Sequence, residues 1–176
     1  MVVTTQPFFR MTAADLMSRH VVLVPQEMSL QGAARLLAQA QISGAPVVDC
    51  HGRCAGVISA SDFVRAFMEG KHKAVHAPHG AEEFCFPWTM RTPESMPEGT
   101  VSHHMTADPV TVSPQAEIGE LAQNMLDAHI HRVIVVDEER RPVGVVSSTD
   151  ILAAVAEATR RARGSHVRLE SAPSAS

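Results

Sequence analysis

Two serine–aspartate pairs carry the chemistry that this sequence offers. Ser59 stands three residues before Asp62, and Ser147 stands three residues before Asp150. Each pair follows a glycine and a short apolar run, Gly56-Val57-Ile58 and Gly144-Val145-Val146. A serine and a carboxylate at this spacing, just after a strand, suit the first turn of a helix. One use is a capping box, in which the serine accepts from a free helix N–H and the aspartate answers from the third helical position. A second use is recognition. A carboxylate there can accept two hydrogen bonds from a sugar diol, while the serine hydroxyl and the unpaired N–H groups of the helix start can hold a phosphate. Ala60, Ser61, Ser148 and Thr149 lie between the partners at the same entrances.

The elements that must position these groups occur twice, 88 residues apart. Met17 matches Met105, Val22 matches Val110, Val24 matches Val112, and Val47-Val48-Asp49 matches Val135-Val136-Asp137. A gapless repeat of this length is expected to be two copies of one supersecondary unit, each covering an apolar face of the other. In the first copy the patterning predicts a helical turn at Ala14–Met17 and a short strand at Val21–Val24 that Pro25 stops. A helix follows, capped by Ser29, with a stripe of Leu30, Ala33, Ala34, Leu37 and Ala40 that Gly44 interrupts. Ala45–Asp49 and Cys54–Ile58 read as paired strands, and Ser59 opens a closing helix bearing Phe63, Val64 and Phe67. In the second copy, Val110–Val112 is the short strand and Ile118, Leu121, Ala122 and Met125 mark the helix. Arg132–Asp137 and Pro142–Val146 pair, and Ile151, Leu152, Val155 and Ala156 line the closing helix. Arg160, Arg161 and Arg163 followed by Gly164 suit that helix's C-terminal end.

Size and composition narrow the function classes. A chain of 176 residues can bury a core without a metal or disulfides. A net charge of -4 gives no electrostatic reason to expect nucleic-acid binding. Cys50, Cys54 and Cys85 are odd in number and dispersed, which reads as a reducing compartment. No apolar run approaches a membrane span, and Arg10 and its polar neighbours stand where a secretory signal would need its apolar core. These features point to a cytoplasmic protein with neither a nucleic-acid nor a membrane partner. Residues 70–100 lack periodicity but hold His72, His76, His79, Cys85, Phe84, Phe86 and Trp88, so this linker is expected to pack its aromatics as a flap or extra helix. Its histidines, together with Cys50, His51 and Cys54 or His103 and His104, leave a metal- or redox-responsive protein open as an alternative. No nucleophile elbow, phosphate loop or zinc-hydrolase signature is present.

Each copy resembles a cystathionine-beta-synthase (CBS) domain, and the pair resembles the tandem arrangement called a Bateman module. The resemblance rests on the Met17-Ser18 and Met105-Thr106 starts, the Val-Val-Asp strands, and the two Gly-h-h-Ser-x-x-Asp motifs in register. It implies an α/β (α+β-like) fold of two pseudo-symmetric units with small mixed sheets and flanking helices. The boundaries expected are 12–68 for the first repeat, 69–100 for the linker, 101–160 for the second repeat and 161–176 for a partly disordered tail. The resemblance also implies a non-enzymatic regulatory sensor that binds an adenine nucleotide (AMP, ADP or ATP) in clefts between the repeats, with S-adenosylmethionine as the second candidate. Carried over residue by residue, the ligand positions are Ser59, Ser61 and Asp62, and Ser147, Thr149 and Asp150. Gly44 and Ala45 would leave room for the base in one copy, Arg132 or His131 would meet phosphate in the other unless Arg132 pairs with a carboxylate, and Val22 and Val110 would wall the base. The copies differ at Gly44 and Arg132, so unequal sites are expected. Homodimerisation and an unidentified regulated protein are further implications; a ligand-free dimerising scaffold is the other alternative.

Overall fold

The computed structural model describes residues 8–69 and 98–169, with side chains as far as Ala162. In chain order the elements are α1 (Ala13–Leu16), β1 (Val24–Pro25), α2 (Leu30–Gln39), β2 (Gly44–Val48), β3 (Cys54–Ser59), α3 (Ala60–Glu69), β4 (Thr106–Ala107), β5 (Thr111–Val112), α4 (Ile118–Asp127), β6 (Arg132–Val136), β7 (Pro142–Ser147) and α5 (Ser148–Leu169). They form two compact units. One spans Val22–Asp108; the other joins the residues up to Val21 to those from Pro109 onward.

In the first unit the sheet order is β1-β2-β3-β4. β1 runs parallel to β2, with Val24 opposite Val47, and the β2–β3 and β3–β4 pairs are antiparallel. Helix α2 starts where Ser29 Oγ accepts from the Gly32 N–H at 3.1 Å. Its Leu30, Ala33 and Leu37 recur on one face and are buried with Val24, Val47, Ile58 and Phe63. β2 buries Ala45 through Val48 consecutively, as a strand covered on both faces does, whereas β3 alternates, burying Cys54, Gly56 and Ile58. The second unit repeats the plan with β5 parallel to β6 and β6 antiparallel to β7. Its core gathers Val112, Leu121, Met125, Val133, Val135 and Val146.

The repeated Asp49 and Asp137 make the same turn. Asp49 Oδ1 accepts from His51 N–H at 2.8 Å and Arg53 N–H at 2.9 Å, and Asp137 Oδ1 accepts from Arg141 N–H at 2.7 Å. Gly52, at φ 76°, and its repeat partner Arg140, at φ 63°, occupy the left-handed position that closes the turn.

Several sequence expectations change. The first short strand is Val24–Pro25 rather than Val21–Val24: Pro25 joins its edge, where a missing N–H costs no ladder bond. Helix α2 ends at Gln39 and is closed by Gln41 rather than interrupted at Gly44. Ile42 N–H donates to Leu37 O and Gln41 N–H to Ala38 O, with Gln41 at φ 55°. This is a Schellman closure built on a non-glycine residue. His129, at φ 54°, closes α4 in the same way. Gly164 does not end the closing helix, because α5 continues to Leu169. Leu152 and Val155 face solvent. The helical repeat set by Asp150, Ile151 and Ala154 turns them away from the core, and Val64 and Met68 on α3 stand exposed for the same reason. The aromatic and histidine-rich segment expected to form a flap lies outside the described residues.

The largest departure is an exchange of lead-in segments. The segment that opens the first repeat packs in the second repeat's unit. Ala13 N–H donates to Ala116 O, Ile118 N–H to Met11 O, and Ser18 and Val145 exchange backbone bonds at 3.0 and 3.1 Å. Conversely, Val101–Ala107, which open the second repeat, pack in the first repeat's unit, with β4 on β3. The methionine of each lead-in lies over the glycine of the motif it meets. A Cβ on Gly56 would sit 2.6 Å from Met105 Sδ and 2.8 Å from Thr106 O, and one on Gly144 would collide with the Met17 side chain. Close approach, not turn geometry, accounts for glycine at these two positions.

Candidate functional site

Each candidate site forms where a strand hands over to the closing helix. β2 and β3 bring Gly44 opposite Ser59, and β6 and β7 bring Arg132 opposite Ser147. The first helical N–H groups are tied back in the same way: Ala60 N–H donates to Ser43 O, and Ser148 N–H to His131 O, each at 2.9 Å. The sequence repeat therefore becomes a repeat of hydrogen bonds.

At both entrances the aspartate caps its helix. Asp62 Oδ2 accepts from Ser59 N–H at 2.8 Å and Ser59 Oγ–H at 2.7 Å. Asp150 Oδ2 accepts from Ser147 N–H at 2.8 Å and Ser147 Oγ–H at 2.6 Å. In the second copy the box is reciprocal, because Asp150 N–H donates to Ser147 Oγ at 3.3 Å. In the first, Ser59 Oγ lies 2.8 Å from Ser61 Oγ. Ser59 has one hydroxyl hydrogen and gives it to the carboxylate, so Ser61 is the donor in that pair.

The other carboxylate oxygens differ. Asp62 Oδ1 faces Thr106 Oγ1 and the Arg65 guanidinium, both at 3.4 Å, and Asp62 is only 2% exposed. Asp150 is half-buried, and its Oδ1 has no partner among the described residues. The sequence pointed to both aspartates but gave neither Arg65 nor Thr106 a place at the site. Arg65 was available from its spacing of three along α3. Thr106 was not, because nothing in the pattern says that the second repeat's lead-in reaches the first repeat's helix.

The remaining candidates are arranged less evenly. Gly44 packs tightly against Ser59, since a Cβ there would lie 3.0 Å from Ile58 O and 3.3 Å from Ser59 Cα. Ala45 belongs to the first core, with 3% exposure. Val22 and Val110 are half-buried just before β1 and β5, and Val110 O accepts from Ile134 N–H. Thr149, His131 and Arg132 are exposed at the second entrance. A cavity of about 390 Å³ lined by Thr111, Ser113, Gln115, Asp137 and Glu138 lies at the opposite end of β6 from Arg132, and includes neither Ser147 nor Asp150. Among the described residues no group of three or more His, Cys, Asp or Glu side chains converges as a metal site would require. Cys50 is exposed and Cys54 buried; Cys85 and the linker histidines lie outside the described residues. No described helix is long and apolar enough to cross a membrane.

Comparison with known proteins agrees with this architecture. An L-aspartate semialdehyde sulfurtransferase of Methanocaldococcus jannaschii is 26% identical over 137 residues, covering 78% of this chain but only 22% of the relative. The chain thus spans about a fifth of that protein's length. An uncharacterized protein of the same organism is 28% identical over 154 residues, covering 82% of this chain and 91% of the relative. Among solved structures, the CBS domain pair of protein MJ0100, in complex with 5'-methylthioadenosine and S-adenosyl-L-methionine, superposes with a TM-score of 0.64 at 24% identity, covering 84% of this chain and 97% of that one. CBSX2 in complex with AMP gives a TM-score of 0.63 at 20% identity, covering 83% and 96%. The family model for the CBS domain matches residues 13–69 and 101–157, more than half of the chain and both copies of the repeat. The chain belongs to the CBS domain family and carries the domain twice.

Proposed function

We propose that this chain is a non-catalytic regulatory module that binds an adenosine-containing ligand at its strand-to-helix entrances. The observation that carries the reading is Asp150. It is fixed at the start of α5 by two hydrogen bonds to Ser147, yet among the described residues its other carboxylate oxygen meets no partner and keeps its accepting capacity for a ribose hydroxyl. The adenosine ligands in the related solved pairs support the choice of ligand class. In this reading Asp62 and Asp150 address ribose. Ser59, Ser61, Ser147 and Thr149 offer hydroxyls beside the helix starts, and His131 and Arg132 face phosphate. Gly44, Ala45, Val22 and Val110 flank the base. AMP, ADP and ATP are the favoured ligands, with S-adenosylmethionine second.

Occupancy would act by favouring one conformation of the chain over another, to the extent that the ligand binds the two with different affinity. The output would be a changed surface for a partner protein in the cytoplasm. Val64 and Met68 on α3, and Leu152 and Val155 on α5, leave apolar side chains exposed on both closing helices, which favours a homodimer. Light scattering on the purified chain tests that part; a monomer at high micromolar concentration refutes it. Calorimetric titration of ligand-stripped protein with AMP, ADP, ATP and S-adenosylmethionine tests the ligand. Saturable heat with one of them is expected. Absence of heat and of thermal shift across the panel refutes the adenosine reading and leaves the scaffold.

A further inference from the structure

We infer that the two entrances are not equivalent receptors: the Asp150 entrance receives the ligand, and the Asp62 entrance is held shut by Arg65 and Thr106. The inference rests on the adenosine reading and adds which copy binds and what closes the other. A carboxylate that is to hold a diol must offer accepting capacity toward the ligand. Asp62 is 2% exposed; its Oδ2 is taken by Ser59, and its Oδ1 faces Thr106 Oγ1 and Arg65. A ligand would have to displace both groups and uncover the carboxylate. Asp150 makes the same two bonds to Ser147 through one oxygen and leaves the other free among the described residues.

The cause is legible in the 88-residue register. Arg65 corresponds to Ala153, which has no group to reach back to Asp150. Thr106 corresponds to Ser18, which pairs through its backbone with Val145 and donates no side-chain bond to Asp150. The latch on Asp62 therefore has two parts from distant stretches of chain. One is three residues along the same helix. The other comes from the lead-in of the opposite repeat, so the first entrance is closed only while β4 stays on β3.

The test uses the full chain, ligand-stripped and titrated calorimetrically with AMP, ADP, ATP and S-adenosylmethionine. The wild type is expected to bind one equivalent per chain. Asp150→Asn should weaken that site at least tenfold. Arg65→Ala combined with Thr106→Val should raise the stoichiometry toward two. Ala153→Arg rebuilds the arginine half of the latch at an exposed helical position that tolerates arginine, and it should weaken the single site by a similar factor. It keeps the test decisive if the double variant fails to fold. Two equivalents in the wild type, an unaltered affinity in Asp150→Asn, or tighter binding in Ala153→Arg would each overturn the inference while leaving the adenosine reading intact. No binding of any ligand in the panel would remove that reading, and this inference with it.

Discussion

Gly56→Ala tests the claim that the lead-in, not the turn, dictates glycine in the motif. The new methyl would sit 2.6 Å from Met105 Sδ and 2.8 Å from Thr106 O. Ordinary contacts of this kind need about 3.5 Å. The Met105 side chain can rotate away. The Thr106 carbonyl cannot move by the missing ~0.7 Å unless β4 shifts on β3. Overpacking of this sort costs about 1–3 kcal/mol, and the lower chain entropy of unfolded alanine returns roughly 0.5–1 kcal/mol. The net expectation is a loss centred on ~1 kcal/mol, which for a chain of this size lowers the melting temperature by roughly 2–4 °C. Urea unfolding of the wild type, Gly56→Ala, Met105→Ala and the double variant measures it. If the carbonyl is the obstacle, at least half of the cost persists when Met105 is already trimmed. A neutral Gly56→Ala, or a cost that vanishes in the Met105→Ala background, would refute the backbone argument.

Other perturbations probe separate links. Ser29→Ala removes the acceptor for Gly32 N–H and should cost about 1 kcal/mol in urea titrations, with no change in the slope. Gln41→Gly and His129→Gly relieve left-handed residues at the ends of α2 and α4. Each should stabilise by about 0.5–1 kcal/mol, and a loss of stability in both would count against the Schellman assignment. The hydrogen bond from the Arg53 N–H holds the Asp49 carboxyl below its ordinary value; desolvation opposes it, and a weaker hydrogen bond from the His51 N–H adds to the lowering. A depressed folded value means that this stabilisation is complete above the unfolded value of 3.8 and is lost as pH falls through the folded one. The stability gap between the wild type and Asp49→Ala should therefore be constant near neutrality and shrink below about pH 4. A gap independent of pH in urea midpoints at pH 7, 5 and 3 would exclude it.

What the sequence disclosed, and what it withheld, divides along physical lines. Signals local in the chain were readable. Ser29 announced its cap, Leu30, Ala33 and Leu37 announced the buried stripe of α2, and the Ser-x-x-Asp spacing announced both helix starts. The fold class and family followed from those signals occurring twice in one register. Left-handed closure by Gln41 and His129 was hidden because neither residue type prefers that conformation, and Gly44 drew attention instead. Gly164 suggested a helix end because glycine disfavours helix interiors, yet its cost there is small enough for α5 to absorb. The partners of Met17 and Met105 were hidden for a different reason. Periodicity tells which face of a segment is apolar, not which distant segment covers it. The unequal surroundings of Asp62 and Asp150 follow from that same non-local pairing, and so lay beyond any reading of spacing alone.

The exchanged lead-ins also impose an order of assembly during synthesis. Every described element of the first repeat's unit has left the ribosome once Asp108 has emerged, so that unit can close while the remainder is still being made. The lead-in that completes the other unit is translated first and must wait, because Ser18 finds its backbone partner only when Val145 appears. Contacts so distant along the chain form late and slow folding. Through that interval Met11–Met17 lack the chain they will pack against. At high concentration, the same segment of a neighbouring nascent chain would fit Gly144 equally well, which makes exchange between molecules the misassembly to which this architecture is most exposed.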